Sequence, residues 1–250
     1  MKKTLLLFDV DGTIAESGCP IDPHIEHNLN TIDKTHFEIG IVGGGTFEKI
    51  KSQIGTVPFT ILFCECGSSC YVLNPTTKEY QMVYCNNLFQ HSMFPFFQEI
   101  IKDSLQFIVT NIPSISGHFI DVRNGLVYIS LVGLQANPQE KQQFIQLDYK
   151  KKFREKLFQM LQQNIEKKNI KHKIRITYGG STGIAVYPIE WDKVQVLEHI
   201  QYKDYEKIYY FADKYEKEGN DFRLINHPLI DGIRVSSIKQ TRDFLQVFFL

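Results

Sequence analysis

The sequence predicts an α/β fold in which a mostly parallel sheet core is interrupted by an inserted α+β domain with an antiparallel sheet. Three observations carry this expectation. The first third of the 250-residue chain alternates short apolar strands with helices across Gly-rich turns, which implies right-handed crossovers between parallel strands. From about residue 80 the pattern changes to strands joined by hairpin signals and separated by long helices. Near the C-terminus the first pattern returns, so the two ends build one core. The expected core is residues 1–82 with 189–250, and the expected inserted cap is residues 83–188.

The elements follow in order. Leu5 to Phe8 is a short strand of the buried type, and Asp22-Pro23 caps and starts a helix reaching about Lys34. Phe37 to Val42 is the second strand; Gly43-Gly44-Gly45 and a short helix near Thr46 follow it. Phe59 to Phe63 is the third. Cys70 to Leu73 and Glu79 to Tyr84 read as a hairpin across Asn74-Pro75, in the hinge region. In the cap, a helix spans Phe94 to Val109. Strands Phe119 to Val122 and Leu126 to Val132 then meet at Asn124-Gly125, a strong hairpin signal. One charged helix runs from Gln139 to about Asn169, with Lys150-Lys151-Lys152 on its wet face, before strands Lys173 to Tyr178 and Ile184 to Tyr187. Trp191-Asp192-Lys193 opens a helix, Lys207 to Phe211 is a strand ending at Asp213, and Ile233 to Ser236 is a strand before the last helix. There is no internal repeat.

Composition narrows the class. Hydrophobic residues are 43% and charged residues 22%, which suits a globular chain with a full core. Lys plus Arg and Asp plus Glu are 28 each, for a formal net charge of zero; a nucleic-acid binder shows a basic excess, so no nucleic-acid partner is expected. No apolar run approaches membrane-spanning length and no signal-peptide pattern opens the chain, so the expectation is a cytoplasmic protein with no membrane partner. Five cysteines, an odd number, speak against a fully paired secreted framework. Cys64, Cys66 and Cys70 cluster, but their spacing is not a paired zinc pattern, and reduced strand-end thiols are the simpler reading.

The chemistry concentrates after the first strand. Asp9-Val10-Asp11-Gly12-Thr13 puts two carboxylates at i and i+2 in a turn fixed by glycine. Asp9 suits a nucleophile facing a phosphoryl group, and Asp11 suits a proton donor and acceptor at the bridging oxygen. Thr13 can hydrogen-bond the loop or a phosphate. A plain Asp-Gly turn explains Asp11-Gly12 but not Asp9. A carboxylate attacking a phosphate dianion needs a cation beside it. Asp9, the Asp11 carbonyl, Asp213 and Asp221 of Gly219-Asn220-Asp221 offer the oxygens that Mg²⁺ prefers. Lys193 can neutralise the phosphate and keep Asp9 ionised.

Taken together, Asp9 to Thr13, Lys193, Asp213-Lys214 and Gly219-Asn220-Asp221 match the motif series of the haloacid dehalogenase superfamily. Val42-Gly43-Gly44, Phe47-Glu48-Lys49, Arg123-Asn124-Gly125, Gly179-Gly180 and Trp191-Asp192-Lys193 extend the likeness, and over nearly its whole length the chain resembles the eukaryotic phosphomannomutases. The resemblance implies a Rossmann-like core with an α+β cap, a homodimer through the cap, and Mg²⁺-dependent interconversion of mannose 6-phosphate and mannose 1-phosphate by way of a bisphosphate. For this sugar-phosphate substrate it implies contacts from Thr13, Gly44, Gly45, Lys49, Arg123 and Lys141. Arg123 by itself would read as a solvated hairpin-edge residue.

This chain departs from the family pattern at several binding positions. An arginine after the first loop gives way to Glu16-Ser17-Gly18, and a Gly-Gly-Ser-Asp run to Gly43-Gly44-Gly45-Thr46. Glu-Asn-Gly becomes Glu65-Cys66-Gly67. In the cap, Leu134 and Lys141 stand at arginine positions, and Gly183-Ile184-Ala185 replaces Ser-Phe-Asp. A charge-assisted arginine contact is worth about 1.5–3 kcal/mol, so the grip on a bisphosphate is expected to be weakened while the core chemistry stays intact. Two alternatives stand beside mutase activity: a phosphatase acting on a sugar phosphate or other phosphomonoester, and a weakly catalytic or non-catalytic relative.

Overall fold

The structure is a computed structural model that describes residues 2–249. The chain divides into two compact units, Met1–Asn86 with Trp191–Leu250, and Asn87–Glu190. Strands β1 (Lys3–Phe8), β2 (Phe37–Val42), β3 (Ile61–Cys64), β4 (Ser69–Leu73) and β5 (Tyr80–Cys85) precede the second unit. That unit holds β6 (Ile120–Val122), β7 (Val127–Ser130), β8 (Ile174–Gly179) and β9 (Gly183–Pro188); β10 (Tyr205–Ala212) and β11 (Asp231–Arg234) follow it.

The first unit is built on a sheet in the order β11-β10-β1-β2-β3-β4-β5. The five strands from β11 to β3 are parallel, and β4 and β5 add an antiparallel edge. The sequence places the β4–β5 hairpin at a hinge; it instead extends the core sheet. Strand β1 is apolar on both faces because both are covered. Leu6 and Phe8 pack with Ile25, Leu29, Phe59 and Leu245, while Leu5 and Leu7 pack with Phe63, Val196 and Tyr210. Helix α1 (Pro23–Thr31) starts where Asp22 accepts from the His24 and Ile25 amides ahead of a proline at the first helical position. Helix α2 (Phe47–Gln53) is capped by Thr46.

In the second unit the sheet runs β6-β7-β9-β8, antiparallel throughout. Helix α3 (Phe94–Asn111) precedes it in the chain. The single charged helix expected from Gln139 to Asn169 is two, α4 (Pro138–Lys151) and α5 (Phe153–Lys167), parted by Lys152 in a left-handed conformation. Asp148 stabilises the break. Its buried carboxylate accepts from the Arg154 amide at 2.9 Å and from Arg154 Nε at 2.8 Å. The Asn124-Gly125 hairpin forms, but neither residue has positive φ, so the turn is not the mirror-image type that this dipeptide favours. The Asn124 carbonyl is instead taken by the Leu88 amide at 2.7 Å.

Back in the first unit, the helix expected at Trp191 is a set of 3₁₀ turns, with Asp192 capping Val194. Strand β11 lies at Asp231–Arg234 rather than Ile233–Ser236. Two helices complete it, a short α6 (Phe222–Ile225) and α7 (Ile238–Phe248). Among the described residues, no helix is long and apolar enough to cross a membrane. Leu6 is fully buried and Val109 is 72% exposed. Leu6→Ala is therefore expected to cost about 2–5 kcal/mol in urea unfolding, and Val109→Ala less than about 0.5 kcal/mol. Equal effects would contradict the packing described.

Candidate active site

Four loops leave the carboxyl ends of adjacent parallel strands, where ligands of such sheets bind. Asp9 follows β1, Gly43 follows β2, Glu65 follows β3 and Asp213 follows β10. Backbone bonds tie the loops together. The Asp9 amide donates to the Phe211 carbonyl, the Glu65 amide to Gly45 and the Cys66 amide to Gly43, each at 2.9 Å. Glu65, Cys66 and Gly67 all have positive φ, at 51°, 60° and 92°, a left-handed turn that costs energy for the two non-glycine residues. It presents two successive amides to the carbonyls of the Gly43–Gly45 loop.

Lys193 sits at the centre, with no exposed surface. Its ammonium donates to Asp9 Oδ1 at 2.6 Å, to Asp221 Oδ1 at 2.6 Å and to the Tyr210 hydroxyl at 3.0 Å. Three donors thus meet three acceptors, which is what a buried ammonium requires. Burial works against its charge, but Asp221 and Asp9 outweigh that and hold Lys193 protonated well above its ordinary range. Burial pushes Asp9 up to about 7; Lys193 pulls the other way, and Asp221 and Asp213 add to the rise. Tyr210 donates to Asp221 Oδ1, and the Lys214 amide donates to Asp221 Oδ2 at 3.1 Å. Both oxygens of Asp221 are therefore occupied, which makes it a support for Lys193.

Oxygen atoms of Asp9, Asp213 and Asp221 all lie within 4.8 Å of one another, and this is the one such convergence of acidic, histidine or cysteine ligands among the described residues. Asp213 pairs through Oδ2 with Lys214, while its buried Oδ1 has no hydrogen-bond partner. The Thr13 hydroxyl is likewise buried without one. An orphaned carboxylate oxygen beside a second carboxylate fits a hard divalent cation, which takes oxygen ligands. Gly12 makes this approach feasible. It has φ +90°, and a Cβ there would lie 2.4 Å from Asp213 Oδ2.

Asp11 is engaged elsewhere. It pairs with Lys49 and accepts from Gln53 Nε2 at 2.9 Å and the Gly18 amide at 3.0 Å. Burial raises its pKa, but Lys49 and these hydrogen bonds outweigh it and hold the carboxyl below the usual range. Of the remaining residues singled out in the sequence, Gly44 and Gly45 lie in the loop after β2, with Gly44 open toward Asn220 and Cys66. Arg123 and Lys141 belong to the second unit. Arg123 pairs with Asp121 at 2.6 Å, and Lys141 is exposed near the start of α4. Cys64 and Cys70 pack into opposite core layers and Cys66 into the left-handed turn, so the three thiols do not converge.

Tyr210 and Gln53 escape a reading of the sequence alone. Tyr210 reads as one more aromatic in a core strand; the only signal is that a fully buried tyrosine needs a partner for its hydroxyl. Tyr210→Phe is expected to cost about 1–3 kcal/mol, because it leaves one hydrogen of a buried ammonium without an acceptor. Unchanged stability in urea unfolding would show that Lys193 needs only its two carboxylates.

Comparison with known proteins identifies the family. The family model described as eukaryotic phosphomannomutase matches residues 25–250. Phosphomannomutase 2 of Dictyostelium discoideum is 30% identical over 99% of this chain and 97% of its own length. The phosphomannomutase of Encephalitozoon cuniculi is 32% identical over 96% and 91%, and human phosphomannomutase 1 is 29% identical over 96% and 90%. Among solved structures, an IMP-bound Plasmodium falciparum IMP-nucleotidase covers 98% of this chain and 68% of its own, with a TM-score of 0.63 at 16% identity. The C-terminal domain of C. albicans trehalose-6-phosphate phosphatase covers 98% and 92%, with a TM-score of 0.62 at 14% identity. At such identities these two speak for the fold alone. A parallel core with an antiparallel inserted unit, the carboxylate–lysine cluster at its strand ends and full-length likeness to named relatives lead to one conclusion: the chain is an enzyme of haloacid dehalogenase fold that belongs to the eukaryotic phosphomannomutase family.

Proposed function

We propose that this chain is a Mg²⁺-dependent phosphotransferase that works through an aspartyl-phosphate on Asp9. We further propose that it interconverts mannose 6-phosphate and mannose 1-phosphate, with hydrolysis competing. The observation that carries the reading is the Asp9 carboxylate at the end of β1, with Oδ1 fixed by Lys193 and with Asp213 and Asp221 beside it. The other oxygen of Asp9 attacks phosphorus, and the bond from phosphorus to the alcohol oxygen breaks. Asp11 handles the proton. Held ionised by Lys49, it takes the proton from a hydroxyl attacking the aspartyl-phosphate. It then returns that proton to the next leaving oxygen, so the cycle closes without net proton transfer. Asp9, Asp213 and the Asp11 main-chain carbonyl would hold Mg²⁺, with Asp221 supporting them through Lys193. Bound there, the cation would offset the repulsion between a carboxylate and a phosphate dianion. Gly44, Gly45, Thr13 and Lys49 serve the phosphate at the core loops, and Arg123 and Lys141 serve the substrate from the cap.

Hydrolysis of a sugar phosphate is the second reading, and it is favoured by Leu134, Gly183 and Ala185, which offer the substrate no polar side chain. A non-catalytic relative is disfavoured, because stability alone does not call for a buried lysine among three carboxylates. The reading includes a cytoplasmic homodimer formed through the cap, without nucleic-acid or membrane partners. Formal neutrality supports the absence of a nucleic-acid partner, and the exposed apolar Leu105 on α3 supports the homodimer.

The deciding assay follows mannose 6-phosphate and free phosphate formed from mannose 1-phosphate with Mg²⁺ and a bisphosphate activator. Both products are expected, and Asp9→Asn should reduce both to background; an active Asp9→Asn protein would refute the mechanism. The metal gives a second test. Asp9, raised to about 7, is largely protonated below that pH, and a cation must displace the proton. Mg²⁺ affinity is thus expected to rise with pH up to about 7, with release of about one proton, and to level off above about pH 8. Calorimetry in buffers of different ionisation enthalpy reads this directly. Asp213→Asn should weaken Mg²⁺ at least about tenfold; unchanged affinity would displace the site.

A further inference from the structure

A cavity of about 320 Å³ lies in the first unit, lined by the loop of residues 16–23 and by the first turns of α7. That is the small end of the range for ligand pockets, about 300–1,000 Å³. Asp9, Lys193, Asp213 and Asp221 take no part in its lining. Ile21 and Ile238 supply apolar walls, and Lys239 and Arg242 line it from α7. Three residues apart on a helix, these two cations are neighbours on one face. Among the described residues Lys239 has no ion-pair partner, and Arg242 reaches only Asp243, its chain neighbour, at 3.8 Å, a surface contact worth little. Of the two carboxylates in the lining, that of Asp22 already accepts from the His24 and Ile25 amides at the start of α1, which leaves Glu16. Two cations against one uncommitted carboxylate favour a ligand with net negative charge.

The wall formed by residues 16–23 is also the mount of Asp11. The Gly18 amide donates to Asp11 Oδ1 at 3.0 Å. Gln53, buried beneath the loop, donates through Nε2 to Asp11 Oδ1 at 2.9 Å and to the Cys19 carbonyl at 3.1 Å. The Ile21 amide closes the loop onto the Gln53 carbonyl at 2.7 Å, and Ala15 bridges to both Asp11 and Ile21. We propose that the cavity is a regulatory site for a small organic anion, a phosphomonoester or a carboxylate, whose binding ties loop 16–23 to α7 and restrains Asp11. The guanidinium of Arg242 and the ammonium of Lys239 recognise the anionic group, and the isoleucines meet its carbon skeleton. Asp11 has Oδ1 on two donors and Oδ2 on Lys49. To turn toward a substrate hydroxyl it must give up a contact, and the Gly18 amide is the one that movement of the loop withdraws. An occupant that fixes the loop opposes this, so it slows turnover without competing for the substrate.

The effect on turnover rests on the phosphotransfer reading; the binding does not. Cys19 lines the cavity and carries an exposed thiol, while Cys85 is exposed and takes no part in the lining. Alkylation of full-length protein by iodoacetamide, followed at each cysteine by peptide mass spectrometry, therefore reads occupancy with an internal control. The probes are glycerol 3-phosphate and succinate, with uncharged glycerol for comparison. A saturating anion is expected to slow the reaction at Cys19 at least about fivefold and to leave Cys85 unchanged. Protection by either probe supports the site, and the two together tell a phosphate ligand from a carboxylate one. Lys239→Gln and Arg242→Gln should each weaken the protection while basal turnover stays the same. In the mannose 1-phosphate assay the protecting anion should lower kcat about fivefold or more with KM unchanged, and Lys239→Gln should relieve that inhibition. Protection by neither anion, equal protection by glycerol, protection that survives both substitutions, or full turnover at a protecting concentration would each overturn the proposal. If Cys19 is protected as stated while the unmodified protein transfers no phosphoryl group, the proposed function fails and the anion site stands.

Discussion

One buried ammonium holds the catalytic unit together. Lys193 has no exposed surface and meets Asp9, Asp221 and Tyr210 within 3.0 Å. Removing a partner from such a cluster strands a charge out of water, at a cost of about 3–5 kcal/mol. That penalty fixes β1 against β10 at their carboxyl ends, because Asp9 extends one strand while Tyr210 lies within the other. The same contacts commit Asp9 Oδ1 to Lys193. Stability and the direction in which Asp9 faces a ligand thus arise from a single arrangement.

The loops around this cluster show how little freedom remains. Gly12 passes so near Asp213 that any side chain at residue 12 would collide with the carboxylate. The left-handed turn at Glu65–Gly67 spends backbone strain to present two amides to the Gly43–Gly45 loop. Asp11 is drawn to Lys49 and Gln53, separate from the Lys193 cluster. Two aspartates two residues apart thereby acquire opposite protonation tendencies, Asp9 raised by burial and Asp11 lowered by its partners. Dividing labour between a pair of carboxylates depends on such a separation of environments.

Much of this was legible in the sequence where a short apolar run ends in a polar motif. Asp9, Gly43 and Asp213 each follow a strand of that kind, so their placement at strand ends needed only the strand periodicity and the crossover rule. What escaped depended on tertiary partners. Tyr210 looked like core material because its hydroxyl acquires meaning only beside Lys193 and Asp221. The break at Lys152 lies within a helical pattern, and Asp148 enforces it through Arg154, a bond between residues that a continuous helix would hold apart. The Asn124-Gly125 hairpin formed, but its backbone answers to the Leu88 amide rather than to the local preference of the dipeptide. In the cap, it is the sheet register that lays Tyr128 over Gly179 and Gly183.

The discontinuous core has a consequence for biosynthesis. β1 is synthesised well before β10, its parallel neighbour, which begins only at Tyr205, and Lys193 lies 184 positions beyond Asp9. Until β10 and Lys193 are made, the nascent chain carries an apolar strand with one partner missing and a carboxylate without its lysine. The intervening unit, Asn87–Glu190, forms its own compact sheet from antiparallel pairings within itself and can mature in that interval, whereas the first unit must wait for β10. Vectorial synthesis therefore favours completion of the second unit before the first, and it leaves β1 without its neighbour β10 in the interval.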